Sequence, residues 1–239
     1  MKNKKILVVA AHPDDELLGC GGSLAKLSKK KCQIFALFFT DGVSSRDKIK
    51  NNEDNQRKRN SLKSLKILGV KHSKFLSYPD NALDKIPLIK ITKEIEYIIK
   101  KFKPHTIFTH SNVDLNIDHE IISRAVVTAT RPKPNFCVKN ILLFETLSST
   151  EWNFNFKKKS FNPNYFIDIT KTISTKIKAA KEYKKEISSW PHPRSLNGMK
   201  NLAKYRGQSV GVKFAEAFYL LRQVKWMFYL NVTNQTQLV

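Results

Sequence analysis

The chain has 239 residues, with 43 Lys and Arg against 20 Asp and Glu, so its formal net charge is +23. That length suits one domain, and a hydrophobic content of 41% excludes a disordered chain. No apolar run approaches the roughly 20 residues that a membrane-spanning helix needs. A signal peptide would need a longer apolar run than residues 6–11, so we expect a cytoplasmic protein.

The elements follow from apolar runs and helical spacing, taken in chain order. Strands are predicted over residues 5–11, 32–39, 75–78, 106–110, 141–144 and 165–169. Helices are predicted over residues 17–30, 57–68, 91–102, 119–130 and 173–187, the last with Thr170 as its N-cap, and residues 44–56 are predicted to form a long loop. Because strand and helix alternate, the fold class is α/β with a mostly parallel sheet covered by helices on both faces.

The sequence shows no repeat and no linker, so residues 1–239 are expected to form one domain. Residues 225–239 are an aromatic tail that could cover a neighbouring chain or pack on its own domain. The lysine runs are spread along the chain, and nucleic-acid binding is therefore not expected as the main function. The three cysteines are scattered, so the sequence supports neither a disulfide framework nor a thiolate zinc site.

The first predicted strand ends in a dense run of titratable residues, namely His12, Asp14, Asp15 and Glu16. Ligands of open α/β sheets bind at the carboxyl ends of the strands. His12 and Asp15 are three residues apart, so they share one face if the chain becomes helical there. A His and a carboxylate at this spacing form half of a metal site with nitrogen and oxygen ligands.

A second cluster follows the predicted strand that ends at His110. It consists of Asp114, Asn116, Asp118 and His119, with Asp118 expected as the N-cap of the next helix. Asx residues at this position could instead serve only to turn and cap the chain. His119 is not a usual cap, however, and the first half-site needs a partner.

Together, His12, Asp15 and His119 would give a metal ion three protein ligands and one open position, as in catalytic zinc sites. Asp14 is then the spare carboxylate beside the metal and the expected general base. A bound metal lowers the pKa of its water and polarises a carbonyl. This arrangement suits hydrolysis of an amide or an ester.

Four motifs resemble the PIG-L/LmbE-like family of zinc-dependent N-acetylglucosaminyl deacetylases. They are Ala-His-Pro-Asp-Asp-Glu at residues 11–16, Gly-Cys-Gly-Gly at 19–22, Thr-Asp-Gly at 40–42 and Asp-His at 118–119, and the similarity extends over residues 6–221. The resemblance implies a Rossmann-like three-layer sandwich without a nucleotide cofactor. It also implies zinc ligands at His12, Asp15 and His119 and a general base at Asp14. A dinucleotide site is not expected, because the glycines follow the acidic motif.

The sequence departs from the family at the position three residues before the metal-binding His119. Many members have a His there that stabilises the tetrahedral intermediate, whereas this chain has Asn116. Asn116 can donate a hydrogen bond to an oxyanion, but it cannot act as a charged acid for the leaving amine. His192 is the preferred candidate for that role, with His110 as the alternative. Residues expected to bind substrate are Arg57, which matches a family arginine, Asp41, His110 and Asp118.

The sequence therefore predicts a metal-dependent hydrolase that removes the N-acetyl group from an N-acetylhexosamine conjugate. Candidate substrates are nucleotide sugars and glycan or glycolipid precursors, and the basic surface would suit a phosphorylated one. Residues 114–119, 131–132 and 206–218 resemble a branch associated with bacterial surface polysaccharide synthesis. Two alternatives stay open: an amidase acting on another small amide such as a thiol-sugar conjugate, and a non-catalytic basic binding module.

Zn²⁺ is the expected cofactor, although two nitrogens and one oxygen also suit Fe²⁺, Co²⁺ or Mn²⁺. The expected partner is a small N-acetylated sugar. A homo-oligomer is compatible with the sequence, which does not fix the oligomeric state.

Overall fold

The computed structural model describes residues 3–45, 53–133, 138–154 and 160–224. Within them, seven strands form one sheet in the order β3-β2-β1-β4-β5-β7-β6. The strands are β1 (Lys5–Ala10), β2 (Gln33–Thr40), β3 (His72–Tyr78), β4 (Thr106–His110), β5 (Asn140–Phe144), β6 (Tyr165–Asp168) and β7 (Ala215–Gln223). The helices are α1 (Asp15–Lys29), α2 (Glu53–Leu68), α3 (Leu88–Phe102), α4 (Ile117–Ala129), α5 (Ile173–Ala180) and α6 (Leu196–Gln208).

The first five strands pair in parallel, which confirms the predicted α/β class with a mostly parallel sheet. β1 lies between β2 and β4, so the strand order reverses at the carboxyl end of β1. A ligand crevice opens at such a reversal in doubly wound sheets. β7 runs antiparallel to both β5 and β6, and neither β7 nor α6 was predicted.

Two hydrophobic cores cover the two faces of the sheet. Alternate residues of β1 enter each core: Ile6 and Val8 pack with α1, α2 and α5, whereas Leu7 and Val9 pack with α3 and α4. All four side chains are fully buried. This is the expected arrangement for a strand that reads as a continuous apolar run. No helix in the described part of the chain is long and apolar enough to cross a membrane.

Glycine lets α1 approach the sheet closely. A Cβ atom on Gly19 would lie 2.2 Å from Cδ2 of Phe144 at the end of β5. Any larger residue at position 19 would push α1 away from the end of β5. The helical glycines therefore serve packing, as the sequence indicates, rather than a phosphate-binding turn.

Several element boundaries differ from the predictions. α4 begins at Ile117, so its N-cap is Asn116 and not Asp118. α5 ends at Ala180, seven residues before the predicted end, and its N-cap is Thr172 rather than Thr170. α2 begins at Glu53, within the stretch predicted as a loop. The predicted tail at residues 225–239 lies outside the described residues.

Candidate active site

The two polar clusters of the sequence meet at the carboxyl ends of the neighbouring strands β1 and β4. The chain leaves β1 at Ala11, and its backbone N–H donates to Nε2 of His110, the last residue of β4, at 2.9 Å. α1 then begins at Asp15 and α4 begins two residues before His119. Both helix starts therefore face the same crevice.

Three side chains converge there and form what we call the ligand triangle: His12, Asp15 and His119. Nδ1 of His12 lies 3.1 Å from Nε2 of His119 and 3.1 Å from Oδ2 of Asp15. The third edge, from Nε2 of His119 to Oδ2 of Asp15, is 3.3 Å. A tetrahedral zinc site with bonds of roughly 2.0–2.1 Å has ligand atoms about 3.3–3.4 Å apart. The edges of the triangle match that spacing closely.

The donor set of the triangle also fits a divalent cation. Oδ1 of Asp15 is buried and makes no hydrogen bond with any described residue. A buried carboxylate oxygen without a partner is costly, and a cation bound to the Asp15 carboxylate would lower that cost. Two imidazoles and one carboxylate suit Zn²⁺ and other divalent transition metals.

Further carboxylates flank the triangle and orient its histidines. Nδ1 of His119 lies 3.1 Å from Oδ1 of Asp114. Nε2 of His12 lies 3.1 Å from Oδ1 of Asp80 and 3.3 Å from Oδ2 of Asp118. Each histidine thus turns one ring nitrogen to the triangle and the other to a carboxylate, which is the usual arrangement around metal-binding histidines. Among the described residues, three groups bring their ligand atoms within 4.8 Å of one another: the ligand triangle; His110, Asp114 and His119; and His12, Asp80 and Asp118.

The ionisation of the site reflects these close contacts. Burial alone would lower the pKa of His119, but Asp15 and Asp114 raise it to about 9. Burial would raise the pKa of Asp15, yet the surrounding histidines hold it well below its usual range. Burial also opposes the raised pKa of His12, which is due chiefly to Asp15. The cluster therefore stabilises positive charge at its centre, which a divalent cation brings.

Asp14 lies beside the triangle between two arginines. Nη2 of Arg57 is 3.1 Å from its Oδ1, and Nη1 of Arg194 is 3.1 Å from its Oδ2. Its backbone has a φ of 127°, a conformation that costs a non-glycine residue about 1–3 kcal/mol. Burial raises the pKa of Asp14, and the two arginines oppose that effect. The side chain is held at a fixed angle, as a general base requires.

Glu16 holds the turn between β1 and α1 that carries Asp14. Its Oε2 accepts a hydrogen bond from the backbone N–H of Asp14 at 3.0 Å, and its Oε1 accepts from the hydroxyl of Tyr183 at 2.9 Å. Burial and the neighbouring Asp14 raise the pKa of Glu16 to about 8. Glu16 therefore fixes the backbone that carries Asp14.

The structure places the residues expected to bind substrate mostly within the protein. His110 is fully buried, stacks on His119 at 3.9 Å, and places Nδ1 3.3 Å from Oγ1 of Thr146. Asp118 is also fully buried and accepts from the backbone N–H groups of Asn81 and Leu83. Neither side chain has exposed surface, and a substrate contact for either residue stays a prediction.

Arg57 and Asp41 are likewise engaged with the protein. Arg57 is only 7% exposed and donates to the carbonyls of Pro13 and Gly42 in addition to its ion pair with Asp14. Asp41 accepts from the backbone N–H groups of residues 43 and 44 and so shapes the turn after β2. Arg57 thus positions Asp14, and a substrate contact for either residue stays a prediction.

Asn116 and His192, the predicted oxyanion and acid groups, occupy different surroundings. Oδ1 of Asn116 accepts from the backbone N–H groups of Asp118 and His119, and its Nδ2 donates to Oδ1 of Asn81. No described contact joins His192 to the ligand triangle. Its Nδ1 instead accepts from the backbone N–H of Arg194 at 3.1 Å.

Sequence reasoning missed Arg194 and Asp80 as site residues. Arg194 approaches Asp14 from a loop that shows no periodic pattern. Asp80 comes directly after β3, so the rule that sites form at the carboxyl ends of strands could have found it. No comparable signal exists for Arg194.

Comparison with known proteins identifies the family. The family described as PIG-L: GlcNAc-PI de-N-acetylase matches residues 7–130. Uncharacterized deacetylase YaiS of Escherichia coli is 33% identical over 189 residues, which cover 77% of this chain and 92% of that protein. Diacetylchitobiose deacetylase of Thermococcus kodakarensis is 26% identical over 223 residues, covering 89% of this chain and 81% of that protein.

Among solved structures, N,N'-diacetylchitobiose deacetylase from Pyrococcus horikoshii aligns with a TM-score of 0.74 at 23% identity, covering 92% of this chain and 84% of that one. That likeness shows the shared fold. On the sequence matches, the chain belongs to the PIG-L family of de-N-acetylases, which confirms the predicted resemblance.

Proposed function

We propose that the protein is a metal-dependent hydrolase that removes the acetyl group from an N-acetylhexosamine. The observation that carries this proposal is the ligand triangle, whose edges of 3.1, 3.1 and 3.3 Å lie beside a carboxylate held between two arginines. Membership of the PIG-L family and the deacetylase names of its relatives support the same reaction.

His12, Asp15 and His119 would hold the metal ion, with Zn²⁺ the favoured candidate. When bound there, a divalent cation polarises a carbonyl and lowers the pKa of water toward about 7. Asp118 hydrogen-bonds to His12, and Asp114 and Asp80 lie 3.1 Å from the outer ring nitrogens of His119 and His12, which favours the orientation that binding needs.

Asp14 would act as the general base. It takes a proton from the water whose oxygen adds to the acetyl carbonyl carbon. The carbon–nitrogen bond then breaks, the amine nitrogen receives a proton, and the products are acetate and a free amino sugar. Arg57 and Arg194 hold the Asp14 carboxylate in place through both of its oxygens. Asn116 and His192 stay the predicted donors to the oxyanion and the leaving amine.

The substrate class is the finer part of the proposal. Relatives of this chain are named as deacetylases of acetylated sugars, among them diacetylchitobiose. We therefore propose an N-acetylhexosamine within a nucleotide sugar, glycan or glycolipid precursor, with surface-polysaccharide synthesis as the proposed context. The high positive charge, +23, suits a phosphorylated or otherwise anionic substrate.

Acetate release from a panel of N-acetylated compounds tests this function. The panel runs from free N-acetylglucosamine through chitooligosaccharides to a nucleotide sugar, each with and without a chelator. We expect release that the chelator stops and that added Zn²⁺ restores. No release from any sugar by protein with confirmed bound metal would contradict the proposal and move the search to other small amides.

A further inference from the structure

We propose that Trp152 and His192 form a stacking surface for a second sugar ring, so that the substrate is a disaccharide or a longer glycan. This inference rests on the proposed function and concerns the part of the substrate beyond the reacting N-acetyl group. The surface is carried by a short stretch of chain after β5, residues 148–152, which we call the wall segment.

The wall segment is tied to the candidate active site by side-chain contacts along its length. The Oγ of Ser148 accepts from Nε of Arg194, the arginine that holds Asp14. The hydroxyls of Ser149 and Thr150 donate to the two oxygens of Asp114, which in turn flanks His119. The segment thus contacts partners of both the general base and a metal ligand.

Trp152 ends the wall segment on a 3-10 turn, two residues after Thr150. Its side chain is 38% exposed, although tryptophan is highly buried on average. Asn153 donates to the carbonyl of Val113 at 2.8 Å, so the turn is fixed against the loop that carries Asp114. The exposed indole is therefore held in a defined place at the outer end of the segment.

His192 completes the surface from the opposite loop. Its ring meets the indole of Trp152 edge to face, with 5.7 Å between centroids and 90° between planes. The backbone N–H of Arg194 fixes Nδ1, and Nε2 makes no hydrogen bond with a described residue. The indole and the imidazole are thus held at right angles to each other, and His192 lies two residues from the arginine that reaches Asp14.

A pyranose ring has the matching chemistry. One face of the ring presents C–H groups that pack on an indole, and its hydroxyls at the rim seek donors and acceptors such as imidazole nitrogen. Aromatic surfaces with a few placed polar groups are typical of small-molecule sites. Scattered surface hydrophobic residues need no explanation, but this indole ends a segment whose side chains contact Arg194 and Asp114. The reacting sugar would lie at the triangle, and its neighbour would lie on Trp152.

Paired kinetics on a monosaccharide and a disaccharide test the inference. The probes are N-acetylglucosamine and N,N'-diacetylchitobiose, used with zinc-loaded wild type, Trp152→Ala and Trp152→Phe. We expect Trp152→Ala to lower kcat/KM for the disaccharide roughly 10-fold or more, mainly through KM, because a lost aromatic contact plus its buried area is worth about 1.4 kcal/mol or more. The monosaccharide should change less than about twofold, because the backbone N–H of Arg194 still holds the His192 ring when the indole is removed. Trp152→Phe should restore most of the loss.

The control variant is Tyr97→Ala, which removes a similarly exposed aromatic ring (48%) from α3. It should leave both substrates unchanged. Equal losses on the two substrates, or no loss on either, would overturn the second-sugar surface while leaving the deacetylase intact. Absence of acetate release from every substrate by wild type would instead overturn the proposed function, and the inference with it.

Discussion

Replacing Asp14 with Asn removes one negative charge from between two guanidinium groups and keeps the shape of the side chain. Asn tolerates a positive φ better than most residues, so the backbone strain at this position changes little. The ligand triangle does not include Asp14. The substitution therefore separates proton transfer from metal binding.

The expected loss of activity is large and the expected loss of stability is modest. A positioned general acid or base contributes roughly 10²–10⁴-fold, and Asp14 is the only carboxylate among the described residues that pairs with both Arg57 and Arg194. We expect kcat to fall by about 10³–10⁴-fold. Arg57 keeps Glu186 at 3.1 Å and two carbonyls, so the stability cost is about 1.5–3 kcal/mol.

The assay combines acetate release, metal content and thermal unfolding. A cost of that size lowers the Tm by about 3–12 °C for a chain of this length, and zinc content should stay at the wild-type value. Asp84→Asn, which changes an exposed carboxylate on a 3-10 turn, is the matched control and should change none of the three quantities. A folded, zinc-replete Asp14→Asn protein with kcat within tenfold of wild type would refute the assignment of the base.

Three other predictions concern the metal site and the packing of α1. Asp114→Asn should weaken zinc affinity about 10–100-fold, because Asp114 orients His119; competition with a chelating dye measures this, and unchanged affinity would remove Asp114 from the metal site. Zinc at about 100 times its Kd should stabilise the wild type by about 2.7 kcal/mol, seen as a higher Tm in calorimetry, and His119→Ala should show no such rise. Gly19→Ala should cost about 1–3 kcal/mol, because its Cβ would lie 2.2 Å from Phe144, whereas the nearest atom to a Cβ on Gly21 is 3.0 Å away at the flexible end of a Leu side chain; equal Tm values for the two Ala variants would contradict the packing argument.

Local pattern was enough to predict the central sheet and the ligand triangle. β1 is an apolar run because it is buried on both faces, and that requirement is visible in the sequence. His12 and Asp15 are close in the chain, and His119 lies in the first turn of α4, which follows the carboxyl end of β4, the neighbour of β1 in the sheet. Parallel strands bring those ends to one edge, so the sequence could place all three together.

Pairings made by irregular loops could not be predicted in this way. Arg194 contacts a residue 180 positions away, and nothing periodic in its neighbourhood indicates where the side chain points. His110 was predicted to bind substrate and, as the alternative to His192, to supply the acid for the leaving amine. In the structure it is fully buried and accepts from the Ala11 N–H. The local sequence does not reveal this burial, because it depends on how distant parts of the chain pack over the end of β4.

Zinc titration of the metal-free protein, followed by acetate release from an N-acetylated sugar, shows whether a metal held by the ligand triangle is required for activity. Activity should be absent without metal and should rise linearly to a plateau at one zinc per chain, and His119→Ala should show no rise. Full activity in the metal-free protein, or wild-type behaviour of His119→Ala, would contradict the assignment of His12, Asp15 and His119 as the ligands of a catalytic metal.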